Sequence, residues 1–364
     1  MSSLRVGIVG LPNAGKTTLL NALSRAGANV AAYPFTTVEP NVGVVDVPEP
    51  RLTAIADLAG CGRRVPATVR FVDIAGLVEG ASRGEGLGNQ FLAHIREVDA
   101  VVHVIRAFEA SGVSHVTGTL DPVRDAELID TELRLSDLEI IGRMLQKERG
   151  SAKSGDRDGK ARIDALMSLE ELIGREPVSG RDLEKKHLPG LAVEAGLLSV
   201  KPTIIVLNVG EDRESGEKYE GEIRAWAEKR GLTVLVVNAE IEAELSELEH
   251  DEALEFEREM GIDEESLCRV IRASYDILSL ITFFSIDSGE CRAWPIPRGF
   301  SAAYAAGRIH TDFEKGFVKA EVVHCQDFLS CGCFAAARDE GVLRVEGREY
   351  VVQDGDVIHF KFAT

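Results

Sequence analysis

The sequence predicts an α/β protein with a mostly parallel sheet, an inserted α-helical hairpin and a smaller carboxy-terminal α+β domain. Three observations carry this. Short apolar runs alternate with helical patterns over most of the chain, and a glycine-rich loop joins the first run to the first helix. From about residue 125 long helical periodicity replaces the strands. From about residue 280 short strand patterns alternate with turns.

The first element is the apolar run Val6, Ile8, Val9. It leads into Gly10-Leu11-Pro12-Asn13-Ala14-Gly15-Lys16-Thr17, which fits G-x-x-x-x-G-K-[ST], and Leu19, Leu20, Ala22 and Leu23 then follow at helical spacing. The chemistry explains the pattern. Gly10 and Gly15 lack a β-carbon, so the backbone can wrap a triphosphate and aim amide N–H groups at its oxygens, aided by the positive end of the next helix. Lys16 supplies charge at the β- and γ-phosphates, and the Thr17 hydroxyl is a ligand for Mg²⁺.

At 364 residues and 45% hydrophobic content, the chain has enough material for two or three domains with real cores. No apolar run reaches the roughly 18 residues that span a bilayer, and no leader pattern precedes the first strand, so a cytoplasmic protein without membrane contact is expected. The six cysteines form no C-x-x-C pair and read as reduced thiols; Cys331 and Cys333 fit either metal ligation or ordinary burial. The net charge of −19 excludes a general nucleic-acid coat, and no DNA partner is expected. The charge is unevenly spread. Residues 211–265 hold 20 acidic and 6 basic side chains, whereas residues 143–162 hold 7 basic and 3 acidic, so a local RNA contact stays open.

Residues 33–41 form a turn-rich loop with two threonines, followed by a strand over 42–47. In a nucleotide switch such a loop brings a hydroxyl to Mg²⁺, and Thr37 is the candidate, with a plain turn threonine as the alternative. A strand over 69–72 ends in Asp73-Ile74-Ala75-Gly76, a D-x-x-G pattern. Asp73 can hold the Mg²⁺ hydration shell and Gly76 lets a backbone amide reach the γ-phosphate. Leu77 follows where other nucleotide switches carry a water-positioning glutamine, and leucine cannot hydrogen-bond water.

The glycine-rich residues 80–88 read as a second switch, and residues 100–105 as a buried strand in which His103 is a packed core histidine. His115, in a loop beyond that strand, is the candidate to orient water in place of the glutamine; a solvated loop histidine is the equal alternative. Residues 125–149 and the stretch carrying Ile163, Leu166, Met167, Leu169 and Leu172 predict an antiparallel, coiled-coil-like hairpin with a basic tip. A strand over 202–207 then reaches Asn208-Val209-Gly210-Glu211. Guanine-specific sites read N-K-x-D there; Glu211 moves the carboxylate by a methylene, which favours ATP over GTP, with Asn208 and Val209 serving adenine. The strand over 233–237 ends in Asn238-Ala239-Glu240, which complete the base pocket. In the tail, strands are predicted over 281–284, 291–294, 317–323, 342–345, 350–352 and 357–362, and a helix over 301–309.

Together GLPNAGKTT, YPFTTVEPNVG, DIAGLVEGASRGEGLG, NVGE, GRIHTDFEKGFVKAEVV and DGDVIHFKF resemble the Obg-like ATPases, the YchF subfamily of the Obg GTPases, over essentially the whole chain. The resemblance implies an OBG-type G domain (1–124 and 200–279), an inserted coiled-coil domain (125–199) and a ubiquitin-like TGS domain (280–364). It implies an ATP-preferring, Mg²⁺-dependent hydrolase that binds ribosomes and bears on translation and stress responses; a monomer is expected. By position, Asn13, Ala14, Gly15, Lys16, Thr17 and Thr18 cradle phosphate, and Thr17 and Thr37 hold Mg²⁺. Asn208 and Val209 contact adenine, and Asn13 stands where potassium-activated relatives bind K⁺. Gly210 inside the base motif and Asn238 in place of a commoner serine depart from the pattern and bear on purine discrimination.

Overall fold

The computed structural model of the chain describes residues 4–26, 42–76, 87–109, 119–151, 157–175, 178, 180–246, 248, 252 and 266–363. It begins with β1 (Arg5–Val9), α1 (Lys16–Ala26), β2 (Val42–Asp46), α2 (Pro50–Ala59), β3 (Arg63–Val65), β4 (Thr68–Asp73), α3 (Leu87–Glu97) and β5 (Ala100–Ala107). Then come α4 (Pro122–Ser151), α5 (Arg157–Arg175), α6 (Gly180–Lys185), α7 (Pro189–Ala195), β6 (Thr203–Val209), α8 (Arg213–Glu228), β7 (Thr233–Val237) and α9 (Ala239–Leu245). The last stretch holds α10 (Ser266–Ile277), β8 (Leu280–Asp287), β9 (Glu290–Pro297), α11 (Ala302–Ile309) and α12 (Thr311–Lys315). It ends with β10 (Phe317–His324), α13 (Cys325–Cys331), α14 (Phe334–Asp339), β11 (Arg344–Glu346) and β12 (Asp356–Phe362).

Two compact units result, and residues 44–69 belong with the second rather than the first. The described part of the first comes mainly from Met1–Ala26 and Arg70–Val270, and that of the second from Val44–Val69 and Ile271–Thr364. One sheet runs β2-β4-β1-β5-β6-β7, with β4, β1, β5, β6 and β7 paired in parallel. Every residue of β5 is buried, as expected for a strand covered on both faces. Val9, Ile74, Phe91, Ile95 and Val101 pack in one core cluster, and Ile105, Leu207, Ile223 and Trp226 in another.

The helical insertion is more than a pair. Ile141 and Leu145 of α4 and Leu166, Leu169 and Ile173 of α5 share a core with Leu183 of α6 and Ala192 of α7. The two short helices escape a periodicity reading because six or seven residues give less than two turns. Asp137 of α4, fully buried, accepts hydrogen bonds from Leu198 N (2.8 Å), Ser199 N (2.8 Å) and Ser199 Oγ (2.7 Å), which ties the returning chain to the hairpin's base. In the basic stretch, Arg162 is engaged by Glu148 at 2.8 Å and by Glu194, so part of that charge is neutralised within the insertion.

The second unit carries a sheet ordered β11-β10-β12-β8-β9-β3. Strands β10 and β12 are antiparallel, β8 pairs antiparallel with β9, and β3 adds in parallel to β9 with Arg64 opposite Cys291. Phe283, Ile296, Ala305, Val322, Ile358 and Phe360 form its core. Residues 350–352 are not a strand. The buried Asp356 carboxylate accepts from Tyr350 Oη (2.8 Å) and Gln353 N (2.9 Å), curling that segment into a loop with one isolated bridge, Ser301 to Val351. Helices α12, α13 and α14 leave no readable period in the sequence, each having fewer than eight residues.

Residues 44–69 join this unit through Arg51. Its guanidinium donates to Glu49 Oε1 (2.7 Å) and Asp354 Oδ2 (2.7 Å), and Asp354 Oδ1 accepts from Thr282 N (2.9 Å). Among the described residues, no helix is long and apolar enough to cross a membrane.

Burial pushes the Asp354 carboxyl up, but the hydrogen bonds from Arg51 and Thr282 N outweigh it and hold the group below its ordinary range. A carboxylate depressed in this way contributes stability that is present above its unfolded pKa of about 3.9 and is lost as pH falls through the folded value. Arg51→Met is therefore expected to lower the urea midpoint at neutral pH and to flatten part of the acid-induced loss below about pH 4. Identical acid limbs for parent and variant would contradict this.

Candidate functional site

The loop from β1 to α1 has the backbone its glycines require. A β-carbon on Gly10 would stand 2.4 Å from Val104 O. Gly15 has φ +91°, and a β-carbon there would stand 2.2 Å from Asn208 Nδ2. Asn13, at φ 63°, is left-handed, a conformation asparagine tolerates better than most residues. Parallel pairing of Ile8 with Asp73 and of Val9 with His103 sets this loop at the carboxyl ends of the central strands, where ligands of open α/β sheets gather.

Lys16 opens α1 and is only 7% exposed. Its ammonium donates to Gly10 O (3.1 Å) and Leu11 O (2.9 Å), folding over the loop it belongs to. Burial holds its pKa below the ordinary lysine value, with Asp73 acting the other way. Those carbonyl bonds are ones a phosphate can replace. Thr17 Oγ1 donates to Asp73 Oδ2 at 2.6 Å, while Asp73 Oδ1 is buried without a hydrogen-bond partner among the described residues. A hydroxyl and a carboxylate with an unsatisfied buried oxygen form a hard oxygen donor set, which fits a divalent cation such as Mg²⁺. Gly76 lies against the same loop: a β-carbon there would be 2.9 Å from Pro12 N and 3.1 Å from Lys16 Nζ. Any larger residue would press on the Pro12 backbone of the loop.

On the other side, Asn208 Nδ2 donates to Ala14 O (3.0 Å) and its Oδ1 accepts from Ala239 N (3.0 Å). One buried amide thus ties the phosphate loop to the start of α9. Val209 ends β6 half-buried, Glu211 and Glu240 are exposed, and Ala239 is buried. Asn238 caps α9, accepting from Ile241 N at 3.1 Å. Thr18 is half-buried on α1. The sequence pattern assigns Asn208 to the base and does not reveal the clamp, in which both polar ends serve the backbone. The signal for it is a lone amide side chain in an otherwise apolar strand. His103 is buried, and burial together with Lys16 lowers its pKa to about 4, so it is a neutral core residue as expected. Thr37, Leu77 and His115 lie outside the described residues.

Three comparisons bear on this arrangement. A family model described as "50S ribosome-binding GTPase" matches residues 5–134, and one described as the carboxy-terminal domain of YchF GTPases, a protein of unknown function, matches residues 280–363. The chain is 48% identical over 359 residues to the "Ribosome-binding ATPase YchF" of Pasteurella multocida, covering 98% of this chain and 99% of that protein. It is 45% identical over 363 residues to the protein of the same name from Bacillus subtilis, covering 99% of each. The solved structure of the Schizosaccharomyces pombe YchF GTPase superposes with a TM-score of 0.86 at 34% identity, covering 99% of this chain and 98% of that one.

The Lys16 geometry makes a separable prediction. A buried ammonium loses hydration that two carbonyl bonds only partly restore, so Lys16→Met is expected to change folding stability by no more than about 1 kcal/mol. Binding of a nucleoside triphosphate should fall beyond detection in the same sample. Denaturant titration beside calorimetry checks both, and a variant that still binds nucleotide tightly would contradict the assignment.

Proposed function

The chain belongs to the YchF family of P-loop nucleoside triphosphatases, and from that membership we propose that it is a cytoplasmic, ribosome-binding ATPase working as a nucleotide switch. The observation that carries the nucleotide part is the loop of residues 10–17, held by Asn208 with Lys16 and Thr17 at its mouth. The ribosome reading rests on the two relatives named for that partner. A monomeric state and contact with ribosomal RNA belong to the same proposal.

The reaction is in-line attack of water on the γ-phosphate. The amides of residues 13–18 bind phosphate oxygens, that of Ala14 giving up its bond to Leu11 O (3.3 Å) as it does so. Lys16 exchanges its bonds to Gly10 O and Leu11 O for the β- and γ-phosphates, placing its charge where negative charge grows in the transition state. Thr17, whose hydroxyl donates to Asp73 in the nucleotide-free chain, would hold Mg²⁺ together with Thr37, and Asp73 would hold the ion through water. Mg²⁺ would neutralise charge on the β- and γ-oxygens. Gly76 brings its amide to the γ-phosphate, His115 orients the attacking water in place of the leucine at 77, and Asn13 is the position for an activating K⁺. Asn208, Val209, Glu211, Asn238, Ala239 and Glu240 surround the base.

ATP is favoured because the carboxylate at 211 is a glutamate on a side chain one methylene longer than the aspartate that reads guanine. The relative from Schizosaccharomyces pombe is named a GTPase, so GTP is the competing substrate. Calorimetric titration with non-hydrolysable ATP and GTP analogues in Mg²⁺ and K⁺ decides. ATP binding at least about tenfold tighter, or about 1.4 kcal/mol, is expected. Equal or tighter GTP binding would return the protein to the GTPases with its fold account intact.

A further inference from the structure

The corner between α13 and α14 holds a pair of thiols that the nucleotide site does not use. Cys331 ends α13 and Cys333 caps α14, with Gly332 between them at φ 90°. In an extended chain two such α-carbons stand at most about 7 Å apart, the limit beyond which no disulfide forms, and the left-handed turn at Gly332 brings them closer. Three other cysteines differ. Cys61, Cys291 and Cys325 are buried, and burial pushes each of those thiols up, so none of them is a ready thiolate. Cys333 is exposed, so burial does not account for it. Among the described residues, no group of three or more His, Cys, Asp or Glu side chains is set to hold a metal ion, so ligation does not account for it either.

Packing fixes the two helices against each other. The rings of Phe328 on α13 and Phe334 on α14 meet edge to face with centroids 5.3 Å apart, and Phe328 is buried. Helix α14 is also tied to the sheet. Arg338 Nη2 lies 3.1 Å from Glu321 of β10, a carboxylate that Lys319 (3.6 Å), His359 (3.8 Å) and Lys361 (3.9 Å) approach as well. The two sulfurs have different partners. Cys331 Sγ donates to Glu340 Oε2 at 3.1 Å, just past the end of α14, whereas Cys333 Sγ accepts from Ala336 N at 3.5 Å. The bond to Glu340 pushes the Cys331 thiol up to about 11, so at neutral pH it keeps its proton and directs it at a base. Cys333 is the sulfur that solvent reaches.

We propose that Cys333 and Cys331 form a reversible thiol switch oxidised by hydroperoxides, with Cys333 the attacking sulfur, Cys331 the resolving sulfur and Glu340 the base. In the first step Cys333 Sγ attacks a peroxide oxygen. The O–O and S–H bonds break, an S–O bond forms, and hydrogen peroxide yields one water and a sulfenic acid on Cys333. In the second, Glu340 takes the Cys331 proton as Cys331 Sγ attacks the sulfenic sulfur. The S–S bond forms, the S–O bond breaks, and the departing hydroxide recovers that proton as a second water. The two sulfurs together lose two electrons, which reduce the peroxide. The product bridges a loop too short to restrain the unfolded chain much, and it is exposed, so it is of the readily reduced kind that switches rather than staples. Closing it takes the donor away from Glu340 and locks the end of α13 to the start of α14. The site stands independently of the nucleotide and ribosome readings.

The test treats the full-length chain, reduced and freed of reductant, with hydrogen peroxide at neutral pH. Remaining thiols are then blocked with iodoacetamide, and the peptide that carries both cysteines is weighed by mass spectrometry. In the parent that peptide is expected to lose two hydrogens and escape alkylation, and dithiothreitol should restore both thiols. In Cys331→Ser, whose hydroxyl can still donate to Glu340, dimedone should trap Cys333 as the sulfenic acid. In Cys333→Ser, where serine keeps the cap of α14, Cys331 should be alkylated as before peroxide. Glu340→Gln removes the base and is expected to slow bridge closure by at least about tenfold, while dimedone trapping in the Cys331→Ser background keeps its rate. Unchanged melting of each variant shows that the domain is intact. A parent whose two thiols stay fully open to alkylation after peroxide, or a bridge from either one to another cysteine of the chain, would overturn the proposal. So would closure at the parent rate in Glu340→Gln, or a sulfenic acid trapped on Cys331 rather than Cys333.

Discussion

The nucleotide end of the first unit depends on the side-chain amide of Asn208. It is 4% exposed, fixed by strand pairing to Arg106 on one side and Val237 on the other, and spends its two polar ends on Ala14 O and Ala239 N. Few side chains can replace it. Aspartate has no donor for Ala14, leucine neither donor nor acceptor, and glutamine is a methylene too long for a position against which Gly15 is already packed. The glycine at 15 is thus required twice, by its left-handed backbone and by the asparagine.

A second consequence concerns charge. Lys16 is held on the carbonyls of its own loop, and Thr17 on Asp73, so the site satisfies most of its polar groups internally. The exception is Asp73 Oδ1, which has no partner among the described residues. A ligand that offers anionic oxygens to the lysine and a cation to Asp73 replaces weak internal bonds with charge-assisted ones, and the scaffold need not move.

Much of this is legible in the sequence because the phosphate loop is local. Gly10, Gly15, Lys16 and Thr17 lie within eight residues, and the strand and helix that flank them have unambiguous periods. The parallel sheet follows for the same reason: residues 100–105 read as a continuous apolar strand, and the structure buries every residue of β5. What escapes is long-range or short. The Asn208 clamp spans 194 residues, and Arg51 reaches Asp354 across 303. Strand β3 is three residues long, too short for any pattern, so the membership of residues 44–69 in the second unit has no local signature. The four groups around Glu321 come from three elements, brought together by the register of β10 against β12 and by the placement of α14.

The central claim is that the phosphate loop is preformed and that Asn208 preforms it. Amide hydrogen exchange in the nucleotide-free chain, comparing the parent with Asn208→Ala, tests it most directly. In the parent the amides of Ala14, bonded to Leu11 O, and Leu19, bonded to Gly15 O, should exchange slowly. In the variant the Ala14 amide should exchange at least about tenfold faster while amides of β5 and β6 keep their rates. An Ala14 rate that is fast in both, or unchanged by the substitution, would show that something other than Asn208 shapes the loop.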